Sequence, residues 1–289
     1  MVENVMAAID YETEYDNRAR VPEHPEIFAR WEREATEFRD AASKRGAELG
    51  IAYGNSPRQI FDLFPAVRGA DTAPLAMFVH GGWWRLLHPS MFGQTARGLT
   101  ARGVSVAVVG YDLCPQVTIA QIVEQIRAAC LVLWRRYRRR IAVYGHSAGG
   151  HLTACMVATD WRTLDPSAPA DLVPVGYAIS GVFDLAPLTQ VSVNQDLKLD
   201  DTEARRLSPL YWPVPAGRTL DAVVGAIESS EFLRQSRIIT DSWKDKAATR
   251  YEAVPGMNHF TVIDALSDPN SAMVARIAEM AKQAQSAAR

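Results

Sequence analysis

The chain has 289 residues, 48% of them hydrophobic, and a formal net charge of −2 at pH 7. That length suits one large α/β domain with at most a small addition, and the charge gives no reason to expect nucleic acid or an acidic membrane as a partner. Three cysteines without a Cys-x-x-Cys motif argue against a zinc or redox site. Residues 1–16 do not resemble a signal peptide, and no segment is apolar enough to span a bilayer, so we expect a cytoplasmic protein.

Segments with helical and strand-like patterns alternate along the chain. Apolar residues at helical spacing predict a helix over 25–49, and we expect residues 1–50 to form a helical extension packed on one α/β domain, residues 51–289. The predicted strands are 59–65, 74–80, 104–111, 140–146, 175–179, 220–226 and 249–254, and the predicted helices are 89–102, 118–137, 149–159, 229–246 and 270–288. Apolar strands separated by helices predict a mostly parallel central sheet flanked by helices.

Residues 185–218 interrupt this alternation with four prolines and a polar stretch. They predict an insertion over one edge of the sheet. Two interpretations stay open at this point: a small cap that shapes a substrate pocket, or a surface excursion without a role.

A glycine pair follows the predicted strand 74–80, in the run His-Gly-Gly-Trp-Trp at 80–84. Such a loop can turn its backbone N–H groups towards one point, as an oxyanion hole requires. We predict that the amides of Gly82 and Trp83, joined by the amide of Ala148, hold the negative oxygen of a tetrahedral intermediate. The alternative interpretation is a plain turn.

The run Gly-His-Ser-Ala-Gly at 145–149 lies between a strand-like and a helical segment. This G-x-S-x-G pattern is typical of a serine on a sharp strand-to-helix turn, with its hydroxyl exposed for attack on a carbonyl carbon. A Cβ at Gly145 or Gly149 would collide with the neighbouring strand or helix. Ser147 is therefore the predicted nucleophile, although the same pattern also occurs by chance in ordinary turns.

A serine hydroxyl needs a base within hydrogen-bond reach, and that base needs an acid to orient it. His259 is the only histidine well after Ser147, and it follows the last predicted strand, so it is the predicted base. Glu228 follows the strand 220–226 and is favoured as the acid. Asp184, which follows the preceding strand, is the competing candidate.

Taken together, these motifs resemble the α/β-hydrolase superfamily, and more narrowly its kynurenine formamidase (arylformamidase) branch, beside the carboxylesterases. The resemblance covers the chain from about residue 53 to its end. It rests on Tyr53-Gly54 with Gln59 and Asp62, His80-Gly81-Gly82-x-Trp84, the runs at 145–151 and 228–236, and Asn258-His259-Phe260. Glu228 stands where that family normally has aspartate.

The resemblance implies hydrolysis of an N-formyl aryl amide such as N-formylkynurenine, through a formyl-serine intermediate and without a metal or organic cofactor. Trp84, Tyr111 and His146 are predicted to contact the substrate, with Trp83 beside them. Two alternatives stay open: a carboxylesterase for short acyl or aryl esters, and a non-catalytic binding protein on the same fold. The expected partner is a small molecule, and the oligomeric state, a homodimer included, is left open.

Overall fold

An eight-stranded sheet forms the centre of the protein, as seen in a computed structural model that describes residues 8–286. In chain order the strands are β1 (Glu48–Ala52), β2 (Ile60–Phe64), β3 (Leu75–Val79), β4 (Ser105–Val109), β5 (Ile141–His146), β6 (Val175–Ile179), β7 (Thr219–Gly225) and β8 (Ala248–Val254). Across the sheet their order is β1-β2-β4-β3-β5-β6-β7-β8. The pairs β1–β2 and β2–β4 are antiparallel, and the other adjacent pairs are parallel.

Helices surround this sheet. The α-helices are α1 (Tyr11–Tyr15), α2 (Asn17–Arg20), α3 (His24–Ser43), α4 (Arg97–Ala101), α5 (Ile119–Tyr137), α6 (Ala148–Ala158), α7 (Trp161–Leu164), α8 (Asn194–Leu197), α9 (Asp201–Leu207), α10 (Ser230–Trp243) and α11 (Ala272–Ser286). Short 3-10 helices span Pro89–Ala96, Ala186–Gln190, Pro209–Tyr211 and Thr261–Ser267.

Alternate residues of the buried strands face two separate cores. In β3, Met77 and Val79 pack into the core beneath α5, α6 and α10, whereas Ala76 and Phe78 pack into the core beneath α3 and α11. Side chains of a strand alternate between the two faces of a sheet, so a strand apolar on both faces must be covered twice. The prediction of a mostly parallel sheet flanked by helices is therefore confirmed.

Local sequence signals place the helix that precedes β5. The hydroxyl of Thr118 accepts a hydrogen bond from the Gln121 amide (3.2 Å), and the Gln121 side chain accepts one from the Thr118 amide (2.8 Å), a capping box that begins α5. The helix ends where Arg138 adopts a left-handed conformation. The chain then turns back into β5, which leads directly to Ser147.

The structure differs from the prediction near the N-terminal end of the chain. The helix predicted over 25–49 ends at Ser43, and residues 48–52 form β1, which the sequence analysis missed. Because β1 is a largely exposed edge strand without an apolar run, it carries no buried-strand signal. It also straddles the predicted boundary at residue 50. The last two residues of the helix predicted over 270–288 lie outside the described residues.

The predicted helix over 89–102 is also built differently. A 3-10 helix covers its first eight residues, Pro89–Ala96, and α4 covers the next five. The insertion at 185–218 consists of short helices rather than a separate domain, and its residues 191–193 and 195 line the cavity described below. The cap interpretation stays a prediction.

Cys114, Cys130 and Cys155 are buried free thiols, and burial raises the pKa of Cys114 to about 11. No group of three or more His, Cys, Asp or Glu side chains within residues 8–286 is arranged to hold a metal ion. Over the same residues, no helix combines the length and the hydropathy needed to cross a membrane.

Candidate active site

Ser147 occupies a strained turn between β5 and α6. Its backbone has φ 57° and ψ −118°, a conformation that residues other than glycine rarely adopt. Its amide donates a 2.8 Å hydrogen bond to the carbonyl of Ile179. A Cβ on Gly149 would lie 1.9 Å from the carbonyl oxygen of Val79, and one on Gly145 would lie 2.3 Å from that of Gly149. The turn is therefore as sharp as the sequence pattern predicts, and only glycine fits on either side of it.

His259 and Glu228 meet at the carboxyl edge of the sheet. Glu228 follows β7, and its Oε2 lies 2.6 Å from Nδ1 of His259. Its other oxygen, Oε1, accepts hydrogen bonds from the hydroxyl of Ser180 (2.5 Å) and the amide of Gly225 (2.6 Å). The side chains of Glu228 and His259 are 0% and 4% exposed. These bonds satisfy a carboxylate that would be costly to bury alone, and they fix the imidazole ring in one orientation.

Asp184, the competing acid, does not reach the imidazole. One of its oxygens lies 3.8 Å from the guanidinium of Arg234, and the other accepts a hydrogen bond from the amide of Ala186. The structure therefore brings Glu228, and not Asp184, to His259.

The loop after β3 approaches the serine turn closely. A Cβ on Gly81 would lie 2.9 Å from the Cβ of Ser147. The next three residues, Gly82, Trp83 and Trp84, have φ values of 105°, 54° and 54°. Among the described residues, the amides of Gly82, Trp83 and Ala148 donate to no protein acceptor. The predicted oxyanion donors are thus free, and two of them belong to the loop that contacts the serine turn.

A cavity of about 350 Å³ opens beside Ser147 and His259. Besides the sheet edge, three segments line it: the N-terminal helices, the loop after β3 and the insertion. Its wall includes Glu12, Tyr15, Asp16, Asn17, Arg18, Phe28, Trp31, Gly82, Trp83, Arg85, Leu86, Leu87, His146, Val191, Ser192, Val193, Gln195 and Phe260. The ring of Trp83 lies in the wall, with its centroid 5.8 Å from that of Tyr15.

Two of the three predicted substrate contacts lie elsewhere. Trp84 is fully buried against the ring of His151, and Tyr111 is fully buried with its hydroxyl donating to the carbonyl of His80 at 2.8 Å. Neither lines the cavity. The expectation that Trp84 and Tyr111 contact substrate is wrong, because both side chains point back from the sheet edge into the core behind the loop.

His146, the third predicted contact, does line the cavity. Its Nε2–H donates to the carbonyl oxygen of His259 at 2.7 Å, and the two ring centroids are 4.8 Å apart. Burial holds the pKa of His146 well below its usual value, and the nearby His259 ring adds to this effect. A neutral His146 therefore braces the backbone of the predicted base.

The N-terminal helices form part of the cavity wall, although no sequence motif indicates this. The hydroxyl of Tyr15 donates to Glu231 (3.0 Å) and accepts from the side-chain amide of Gln235 (2.9 Å). Oε1 of Gln235 also accepts hydrogen bonds from the backbone amides of Phe183 and Asp184. The run 228–236, on which the family resemblance partly rests, therefore connects the N-terminal segment to the core. Local sequence patterns do not predict this connection, because it is made by residues about 220 positions apart.

A family model described as the alpha/beta hydrolase fold matches residues 76–287. Kynurenine formamidase of Salmo salar is 31% identical over 233 residues, which are 76% of this chain and 77% of that protein. Isoprenylcysteine alpha-carbonyl methylesterase of Arabidopsis thaliana is 31% identical over 157 residues, 51% of this chain and 37% of that protein. A crystal structure from Silicibacter sp., provisionally named a thioesterase, has a TM-score of 0.85 at 31% identity and covers 93% of this chain and 99% of that one.

The chain therefore belongs to the α/β-hydrolase family. Within that family it belongs to the branch of the kynurenine formamidases and carboxylesterases, which confirms the resemblance seen in its motifs. It is a hydrolase of this family.

Proposed function

We propose that the protein is a serine hydrolase that cleaves an N-formyl aryl amide, such as N-formylkynurenine, through a formyl-serine intermediate. The observation that carries the proposal is the 2.6 Å contact between Glu228 and His259, with His259 and Ser147 in the wall of one cavity. A base held by a buried carboxylate beside a serine on a strained turn is the arrangement that acyl transfer needs.

In the first half of the reaction, the Ser147 oxygen attacks the formyl carbon while Nε2 of His259 takes the hydroxyl proton. The oxyanion accepts hydrogen bonds from the amides of Gly82, Trp83 and Ala148. His259 then gives the proton to the departing aryl nitrogen, the carbon–nitrogen bond breaks, and the aryl amine leaves. Glu228 stabilises the imidazolium that exists in between.

In the second half, a water molecule attacks the formyl-serine ester and His259 takes one of its protons. The serine oxygen leaves, recovers that proton, and formate is released. No hydrogen bond joins the Ser147 hydroxyl to His259 in the part of the chain that the structure describes, so the two groups must approach when substrate binds, as catalytic contacts in free enzymes often do.

Two observations support an aryl formamide as the substrate class. The relatives named kynurenine formamidase align with more than three quarters of the chain. The cavity lies at the small end of the range for small-molecule sites, and aromatic rings of Trp31, Trp83 and Phe260 line it. Flat apolar walls suit the ring of an aryl amine.

A carboxylesterase is the second candidate, since relatives named isoprenylcysteine alpha-carbonyl methylesterase match part of the chain. The test is a side-by-side measurement of kcat/KM on N-formylkynurenine and on p-nitrophenyl acetate. We expect the formamide to be the better substrate. Fast ester turnover without formamide cleavage would replace the first proposal by the second, and an intact Ser147 after treatment with a serine-reactive phosphonate would exclude both.

A further inference from the structure

The cavity wall contains a buried carboxamide that the proposed chemistry does not use. Asn17 is the first residue of α2, is 5% exposed, and lines the same cavity as Ser147 and His259. Its Nδ2 is buried and has no hydrogen-bond partner within residues 8–286. The two atoms exchange places by a half-turn about the Cβ–Cγ direction, so either can be presented to the cavity.

The two neighbouring carboxylates of the N-terminal wall, Asp16 and Glu12, already accept hydrogen bonds. Asp16 accepts the backbone amides of Arg18 and Ala19 at the start of α2. The carboxylate of Glu12 accepts hydrogen bonds from the backbone amide and the hydroxyl of Ser192, which belongs to the insertion. Asn17 differs from these carboxylates because its side chain has no such structural bond, although polar groups buried to this extent normally have a partner.

We propose that Asn17 is a specificity-determining residue, whose carboxamide donates a hydrogen bond to an oxygen in the non-reacting part of the substrate, such as a ketone or carboxylate oxygen. This inference rests on the proposed function, because it requires a substrate whose reacting carbonyl lies at Ser147. In the free protein, water in the cavity can pair with whichever carboxamide atom faces the cavity. A bound substrate expels that water, so only a substrate with its own acceptor leaves the carboxamide paired.

The first test uses the unaltered protein and a matched pair of substrates. Formanilides that carry an acetyl group at the ortho, meta or para position are compared with the isomers that carry an ethyl group of nearly the same shape. After division by the ratio of their rates of uncatalysed alkaline hydrolysis, which removes the electron-withdrawing effect of the acetyl group, we expect one acetyl isomer to exceed its ethyl partner in kcat/KM by about ten- to a hundredfold, the range for one buried hydrogen bond. A carboxyl series separates a charged acceptor from a neutral one. Equal rates for every pair would overturn the proposal.

The second test asks whether Asn17 causes the preference. In Asn17→Leu, the acetyl-to-ethyl ratio of kcat/KM should fall about ten- to a hundredfold, mainly through KM of the acetyl substrate. The matched control is Arg20→Ala, which alters the same short helix at a residue that does not line the cavity. It should leave the ratio unchanged. If Asn17→Leu lowers both rates equally, or if Arg20→Ala shifts the ratio as much, the role of Asn17 is structural and the proposal is wrong.

These outcomes are separable from failure of the proposed function. Suppose that Ser147→Ala abolishes cleavage of both substrates, while Asn17→Leu leaves the acetyl-to-ethyl ratio of kcat/KM unchanged. That result would exclude the role of Asn17 and leave the proposed function standing. If Asn17→Leu does not fold, Asn17→Ala is used for the ratio. Binding of the acetyl and ethyl formanilides to Ser147→Ala, measured by calorimetry with and without the Asn17 substitution, gives a readout that does not require turnover.

Discussion

The two halves of the cavity are built by different parts of the chain. The carboxyl edge of the parallel sheet supplies Ser147, Glu228 and His259, at the ends of β5, β7 and β8. The opposite wall comes from additions outside the sheet, residues 12–31 and 191–195. The first half is set by strand register and close glycine packing, whereas the second is attached by side-chain hydrogen bonds. We infer that the sheet edge determines the chemistry and the added wall determines which substrate is bound.

Substitutions in the two halves should therefore have different kinetic signatures. A change at the sheet edge should lower kcat by orders of magnitude for every substrate, because it removes interactions made in the transition state. A change in the added wall should act mainly on KM and on the preference between substrates.

Ser147→Ala has the largest expected effect. Loss of the nucleophile should lower kcat by about 10⁶-fold for both formamides and esters. The fold should remain, because the serine hydroxyl makes no hydrogen bond to the rest of the described chain. Steady-state kinetics, together with circular dichroism and a thermal melt, measure both properties. A variant that keeps a tenth of the original rate would show that Ser147 is not the nucleophile.

Glu228→Gln should have the next largest effect. Glutamine keeps the shape of the glutamate side chain, but one of its two terminal atoms is now an NH2 group. If that group faces Nδ1 of His259, the imidazole is held in the wrong tautomer; if it faces the other way, the hydrogen bonds from Ser180 and Gly225 are lost. We expect kcat to fall by about 10⁴-fold. Asp184→Asn is the matched control, because Asp184 pairs with Arg234 and not with the histidine, and its kcat should change by less than about tenfold. The reverse ranking would identify Asp184 as the acid.

The sequence predicts the sheet edge well because its signals are local. A Cβ added at Gly81, Gly82, Gly145 or Gly149 would lie less than 3 Å from a backbone atom, so each position requires glycine and the motifs imply their own geometry. The position of His259 follows from chain order alone. The central strands β3, β4 and β6 are also identifiable, because they are almost entirely apolar on both faces.

The added wall could not be predicted in the same way. Tyr15 and Asn17 lie in two short helices of five and four residues, and Tyr15 is held by a hydrogen bond to Glu231, far along the chain. The insertion has no regular period. Trp84 failed as a predicted contact because position near a strand end does not fix side-chain direction where residues adopt left-handed conformations, as Trp83 and Trp84 do. Tyr111 failed because its ring is buried and its hydroxyl is bound to the carbonyl of His80.

Acidification should weaken the packing that connects the two halves. His151 lies on α6 directly behind the serine turn, donates from Nε2 to the carbonyl of Leu207 in the insertion at 2.8 Å, and has its pKa lowered by burial to about 4. In the unfolded chain its pKa is about 6.5. The unfolded state therefore takes up the proton first as the pH falls, so the stabilisation is complete above about pH 6.5 and is lost towards pH 4.

From pH 7 to pH 5, this residue should account for a loss of about 2 kcal/mol in the free energy of unfolding. His151→Gln retains a donor for Leu207 and should flatten the pH dependence by that amount, as measured by urea unfolding at pH 5, 6 and 7. His24→Gln is the control, because His24 is only half-buried on α3. An identical slope in the His151 variant and the unaltered protein would refute this account.

Tyr15→Phe should give the smallest effect and test the added wall alone. The substitution removes two hydrogen bonds, but Glu231 keeps Arg234 at 2.7 and 2.8 Å, and Gln235 keeps the carbonyl of Asp184 at 2.8 Å. We expect a loss of about 1 kcal/mol, or roughly 2–4 °C in Tm, and a rise of a few fold in KM with little change in kcat.

The matched control for this last substitution is Tyr11→Phe. Tyr11 stacks on Tyr15 with ring centroids 6.4 Å apart, but its hydroxyl makes no hydrogen bond to any described residue, so KM and Tm should stay as they are. If kcat of Tyr15→Phe falls by a larger factor than KM rises, the inference that the added wall acts on substrate binding and not on the chemistry is contradicted. Such a result would show that the N-terminal helices act on the transition state, because only an interaction stronger there than in the bound substrate changes kcat.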